Sequence, residues 1–306
     1  MTAIRVAHPV APADRDAVLR LHERATSVDG HPSLNETMWR DLEHGGPDSA
    51  GALAVDGDQL VGYAHAARSD NVTPPHWEVG LVVDPERRGG GLPGQLLAAV
   101  NRYVADHGGG LAVLWVLAVG DDDDRSFAPA GYERQRDLLE MRVALPVDEA
   151  PQWPPGFQVR TFEPGRDEHD WLEVNNRAFA DHPEQGGWVE ETLAIRMREP
   201  WFDPKGFLLG FDAEGLAGFC WTKIHPPEPG EPNTRGEIFV IGKVRPVPGL
   251  GRALVVAGLQ SLAERGADVG MLFVDAGNEV ALGLYQSLGF HTHRHDRAYE
   301  CRVDAL

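Results

Sequence analysis

Apolar and polar positions along this chain follow one arrangement twice. Each half opens with a short strand pattern and an acidic-capped helix, IRVAHPVAPADRDAVLRLHERA and then FQVRTFEPGRDEHDWLEVNNRAF. Two alternating runs around an Asp-centred turn follow, GALAVDGDQLVGYAHAA and GFLLGFDAEGLAGFCWTKI, which read as hairpins. Next come a strand, a glycine-rich bend and a helix, in WEVGLVVDPERRGGGLPGQLLAAVNRYV and GEIFVIGKVRPVPGLGRALVVAGLQSLA. Both halves then show an apolar strand, a helix ending on Gly-aromatic (Gly131-Tyr132 and Gly289-Phe290) and a last strand. The Pro-rich stretch ALPVDEAPQWPPG between them reads as a linker. The expected architecture is mixed α/β: two tandem domains, each a largely antiparallel sheet with helices on both faces. The boundaries expected are 1–145, a linker at 146–156, and 157–306.

Length and composition suit this division. A chain of 306 residues accommodates two cores of roughly 150 residues each. With 28 basic against 47 acidic residues the net charge is −19, which argues against nucleic acid or an anionic membrane as partner. A small anion can still be held by backbone amides and a few local cations. Two cysteines, Cys220 and Cys301, form no disulfide framework and suit a reducing compartment. No signal-peptide core or membrane-length apolar run is evident, so a cytoplasmic protein is expected; it is also expected to be a monomer. His291, His293 and His295 alternate along the last strand without a carboxylate or cysteine in a recognisable ligand pattern, and no metal is expected. The DDDD run at 121–124 reads as a solvated acidic loop.

A strand, a glycine-rich bend and a helix start make an anion cradle: small residues let N–H groups approach phosphates, and the helix dipole assists. About thirty residues after the second cradle comes NEVALGLYQSLGF, Asn278 to Phe290, with Asn278 suited to cap the helix that carries Tyr285. The cradle and this Asn-x-x-Ala-x-x-x-Tyr-x-x-x-Gly-Phe pattern together resemble the GCN5-related N-acetyltransferase (GNAT) family, and the duplication resembles its tandem members. VNNRAFADHPEQGGW, WFDP, WTKIHP and GEIFVIG are similar to the branch that acetylates desacetylmycothiol in actinobacteria.

That resemblance implies acetyl-CoA as cosubstrate and the cysteinyl amine of desacetylmycothiol as acceptor. It implies Glu237 as general base and Tyr285 as general acid toward the departing thiolate. A phenol near ~10 serves a thiol near ~8.5 if its surroundings lower it. The backbone of Ile241, Gly242 and Lys243 would pair with the pantetheine, Gly249, Leu250, Gly251 and Arg252 would hold the pyrophosphate, and Asn278 would touch the CoA arm. Leu81, Val82, Val83, Gly89, Gly90, Gly91, Leu92, Pro93 and Gly94 are the matching positions of a degenerate N-terminal half. Glu36, Glu184, Lys223, Glu237 and Phe273 are the expected acceptor contacts, with Glu36 drawing the N-terminal half into that pocket.

Departures from the family pattern are local. The first half has Phe127 opposite Tyr285 and Gly120 opposite Asn278, and Pro93 removes one N–H from its cradle. In the second half GKVRPVPGLGRAL is about two residues short and carries Pro246 where Gln or Arg is usual. Phe273 stands where a tyrosine is expected. An aminoglycoside or a peptide N-terminus as acceptor, or an impaired CoA-binding module, remain alternative readings.

Overall fold

Residues 2–46, 48–69, 75–120, 123–180, 185–227 and 231–306 are described by the computed structural model, Glu36 by its backbone only. The chain forms two compact units, residues 1–138 with 294–306, and residues 139–293.

In the first unit, β1 (Ala3–Ala7) leads to α1 (Pro12–Asp29) and α2 (Glu36–His44). Then follow β2 (Ser49–Asp56), β3 (Gln59–Ser69), β4 (His76–Val83), α3 (Leu92–Asp106), β5 (Gly110–Val116), the five-residue α4 (Asp123–Phe127) and β6 (Glu133–Ala144). The second unit contains β7 (Gln158–Thr161), α5 (Glu168–Ala178), α6 (Glu190–Met197), β8 (Phe207–Asp212), β9 (Gly215–His225), β10 (Arg235–Lys243), α7 (Leu250–Glu264), β11 (Val269–Asp275) and α8 (Glu279–Ser287). The last strand, β12 (His291–Val303), ends the chain. Helices α2 and α6 add a second helix to each half that the hydrophobic pattern did not set apart.

Each sheet is covered on both faces. In the first unit Val18, Leu21 and Ala25 recur along α1 at helical spacing and pack with Leu53 and Tyr63. On the opposite face α3 buries Leu96, Leu97 and Val100 against Ala52 and Val79. In the second unit α5 contributes Trp171 and Leu172 to one face, with Phe207, Phe219 and Trp221. The other face receives Leu254, Leu259 and Leu262 of α7, beside Cys220 and Ile238.

The division into units differs from the one read in the sequence, because the two last strands change places. Residues 297–303 of β12 pair antiparallel with β5, and Tyr299 and Cys301 complete the core of the first unit. Met141 and Val143 of β6 are buried among Leu259, Leu272 and Phe290 in the second. A strand's alternation shows that it has a buried face but not whose core receives it. The Pro-rich stretch consequently lies inside the span of the second unit, not between two folds.

Candidate active site

Where β10 leaves β11, the second sheet opens. Parallel pairing between them is confined to Arg235–Val269, Gly236–Gly270 and Glu237–Met271. From Ile238 to Lys243, β10 remains paired with β9 alone among the described residues. Ile241, Gly242 and Lys243 therefore keep one backbone edge for an extended ligand, which can add as a strand. The first sheet opens likewise: β4 pairs with β5 only at Trp77, Glu78 and Val79, so Leu81, Val82 and Val83 lie beyond the last pair.

One feature separates the two openings. The register of β10 against β9 shifts between Ile238 and Val240, a bulge that leaves Phe239 as the extra residue, whereas β4 runs against β3 without a shift. A bulge re-aims backbone groups and side chains locally, and Glu237 lies just before this one. Glu237 is 8% exposed and is the register partner of Lys223, whose Nζ stands 4.9 Å from the Trp201 ring centroid. Trp201 in turn packs against Trp221 and Phe239. Glu237, Lys223 and this aromatic wall are brought together on the α5 face. So is His225, at the end of β9 in WTKIHP, which the acceptor pattern in the sequence does not single out; its Nε2 lies 2.6 Å from Glu237 Oε2.

Tyr285 sits on the other face, 7% exposed and packed with Ile238, Leu288 and Phe290. The expectation that its surroundings lower the phenol is corrected. Burial pushes it up to about 12, and the Cys220 thiol adds to the rise. Tyr285 therefore keeps its proton across the physiological range, as a donor must. Asn278 caps α8, its Oδ1 accepting the Ala281 N–H at 3.1 Å. Phe273 on β11 is 40% exposed. Glu36 opens α2, and Glu184 lies outside the described residues.

At the second cradle, Gly249 caps α7 at φ 81°, a left-handed conformation suited to glycine. A Cβ added at Gly249 or Gly251 would meet nothing within 4 Å, so the approach to the helix start is open. Leu250 donates to Val247 O at 3.3 Å, and the N–H groups of Gly251 and Arg252 lie in the first turn, where a helix has no partner for them. Six residues, 244–249, join β10 to α7, against eight, 84–91, between β4 and α3. Its arginines are occupied. Arg245 grips Asp212 through Nε and Nη2 at 2.8 and 2.7 Å, and Arg252 grips Glu149 at 2.7 and 2.6 Å. Glu149 thus stands where a diphosphate would compete for Arg252. Glu149→Gln is expected to tighten acetyl-CoA binding by roughly two- to fivefold, the scale of one exposed ion pair. A lower Km for acetyl-CoA at constant kcat checks this.

The first cradle is built differently. Gly89 and Gly91 adopt φ 82° and 75°, Gly90 meets no neighbour, and Leu92, Pro93 and Gly94 form the buried first turn of α3. Arg88 is held by Asp29 through two contacts of 2.7 Å. A cavity of about 310 Å³ is lined by Leu81, Val83, Arg88, Gly89, Pro93 and Phe127, among others. This cavity belongs to the unit without that bulge and without Tyr285. Among the described residues no group of three His, Cys, Asp or Glu side chains is arranged to hold a metal, and no helix is long and apolar enough to cross a membrane.

Comparisons with known proteins bear on the family and the fold. The model of the acetyltransferase (GNAT) family matches residues 15–128 and 168–290. A mycothiol acetyltransferase of Thermobispora bispora is 48% identical over 94% of this chain and 96% of its own length. One of Streptomyces coelicolor is 40% identical over 95% and 92%. Among solved structures, a GCN5-related N-acetyltransferase from Sphaerobacter thermophilus aligns with a TM-score of 0.75 at 25% identity, covering 99% of this chain and 97% of that one. A tandem GNAT protein from the clavulanic acid biosynthesis pathway shares the fold, with a TM-score of 0.67 at 17% identity and full coverage of both chains.

Proposed function

Because this chain belongs to the acetyltransferase (GNAT) family, we propose that its second unit moves the acetyl group of acetyl-CoA onto the cysteinyl amine of desacetylmycothiol, giving mycothiol. Similarity to mycothiol acetyltransferases along nearly the whole chain carries the choice of acceptor. The bulge beside Glu237, present in the second unit and absent from the first, supports placing the chemistry there.

In this reading the pantetheine lies along Ile241, Gly242 and Lys243, and backbone N–H groups at the bulge polarise the thioester carbonyl. The acceptor's ammonium gives a proton to Glu237. The freed amine attacks the acetyl carbon, an N–C bond forms, and the C–S bond breaks. Tyr285, protonated, donates to the departing sulfur and is reprotonated by the second proton that the nitrogen loses as it becomes an amide; the proton on Glu237 passes to solvent. Lys223 and the face of Trp201 border the acceptor, and Phe273 is a further contact. The first unit keeps an open cradle and cavity, and CoA held there would undergo no reaction because Phe127 has no proton to give. The enzyme acts as a cytoplasmic monomer.

Mass-spectrometric assay of acetylated product tests the acceptor. A cysteinyl-glucosaminyl-inositol is expected to be acetylated and free cysteine to react little, since sugar and inositol contacts contribute to transition-state binding. Equal rates on both remove the acceptor assignment. The short 244–249 loop favours a second reading, a CoA-binding module without turnover, which any product formation at catalytic rates excludes.

A further inference from the structure

Glu237 receives a hydrogen bond that the reaction scheme does not use. His225 and Lys223 lie two residues apart on β9 and so share a face, and Lys223 stands opposite Glu237. The His225–Glu237 contact is thus a diagonal one across an antiparallel pair, within reach of long side chains. The distance of 2.6 Å and side-chain exposures of 21% and 11% describe a short, partly desolvated bond. An ionised carboxylate can only accept. Nε2 of His225 therefore carries the hydrogen and donates to Oε2. Among the described residues Oε1 has no hydrogen-bond partner.

We infer that His225 is a positioning residue for the base. By occupying Oε2 it selects the Glu237 rotamer and reserves Oε1 for the ammonium proton of the acceptor. A free carboxylate on this strand would swing between Lys223, its direct neighbour, and the acceptor. Pairing with the Lys223 ammonium would make it a poorer base. His225 holds it on the opposite side, while the Trp201 face offers the ammonium of Lys223 an alternative partner. This rests on Glu237 acting as base in the reading above. It does not depend on which amine is the acceptor.

Steady-state kinetics on the full-length enzyme, with whichever amine is turned over, test the inference. His225→Phe is expected to lower kcat by roughly 10- to 100-fold, part of the range for a lost general base, with the Km for acetyl-CoA within about twofold of the parent. His225→Gln, whose amide can donate to Oε2, is expected to recover most of the loss. The double variant Glu237→Gln/His225→Phe should be no slower than Glu237→Gln, because a residue that acts through another contributes nothing once that other is gone. Wild-type turnover in His225→Phe, no recovery in His225→Gln, or losses that multiply in the double variant each overturn the inference. Failure of the mycothiol reading is distinguished because it appears in the parent enzyme, as a preference for another acceptor.

Discussion

Glu237→Gln and Tyr285→Phe are each expected to lower turnover by roughly 10- to 10⁴-fold, the range for losing a positioned base or acid, with acetyl-CoA binding nearly retained. Glu237→Gln is isosteric and Tyr285→Phe removes only a hydroxyl, so the fold should tolerate both. Glu237 is held by His225 and stands beside Lys223, and a neutral amide there can accept no proton. Tyr285 presents a different case. Burial keeps its phenol protonated to about pH 12, so deprotonation removes no donor in the working range. An alkaline fall in turnover below about pH 10 should then persist in Tyr285→Phe, because it belongs to another group. The control is Phe127→Leu in the first unit, expected to leave turnover largely intact. Leucine is chosen because Phe127 is 3% exposed and packs edge-on against Tyr299 at 5.0 Å; an alanine there would open a cavity at about 3–5 kcal/mol. Loss of turnover in a folded Phe127→Leu protein would show that the chemistry had been assigned to the wrong unit.

Lengthening the second cradle should produce the other large effect. A diphosphate is bound by several inward N–H groups, and Pro246 and Pro248 can donate none. With six residues rather than eight between strand and helix, the bend also has less reach. A two-residue insertion after Arg245, combined with Pro246→Gln, leaves the Arg245–Asp212 pair in place. It is expected to tighten acetyl-CoA binding by about 10- to 100-fold. That corresponds to one charge-assisted hydrogen bond at ~1.5–3 kcal/mol, with ~1.4 kcal/mol per decade. The test is the Km for acetyl-CoA and inhibition by free CoA in the full-length enzyme. The full-length chain is used because β6 runs from the first unit into the second, where Met141 and Val143 join the core. Micromolar affinity in the parent, unchanged by the insertion, would mean that the short loop is a working cradle.

What the sequence determined by itself is local or repeated. Asn278 caps its helix because an amide three residues before a free N–H needs no distant partner. Gly249 and Gly91 mark helix starts that require positive φ. The duplication, the two cradles and the missing loop residues are all countable along the chain, and the α/β architecture follows from its alternating periods. Tertiary structure decided the rest. Residues 139–144 and 297–303 carry similar strand patterns, and only packing assigned Met141 to one core and Tyr299 to the other. The bulge at Phe239 arises from register between two strands, which neither strand encodes alone. Arg252 and Glu149 are far apart in the chain, and nothing local announces that they neutralise each other. His225 becomes part of the site only because β9 and β10 lie side by side. Tyr285 was legible as a phenol on the helix that Asn278 caps, but its elevated pKa was not. A side chain's chemistry is written in the sequence, whereas the desolvation that tunes it comes from neighbours that only the fold assembles.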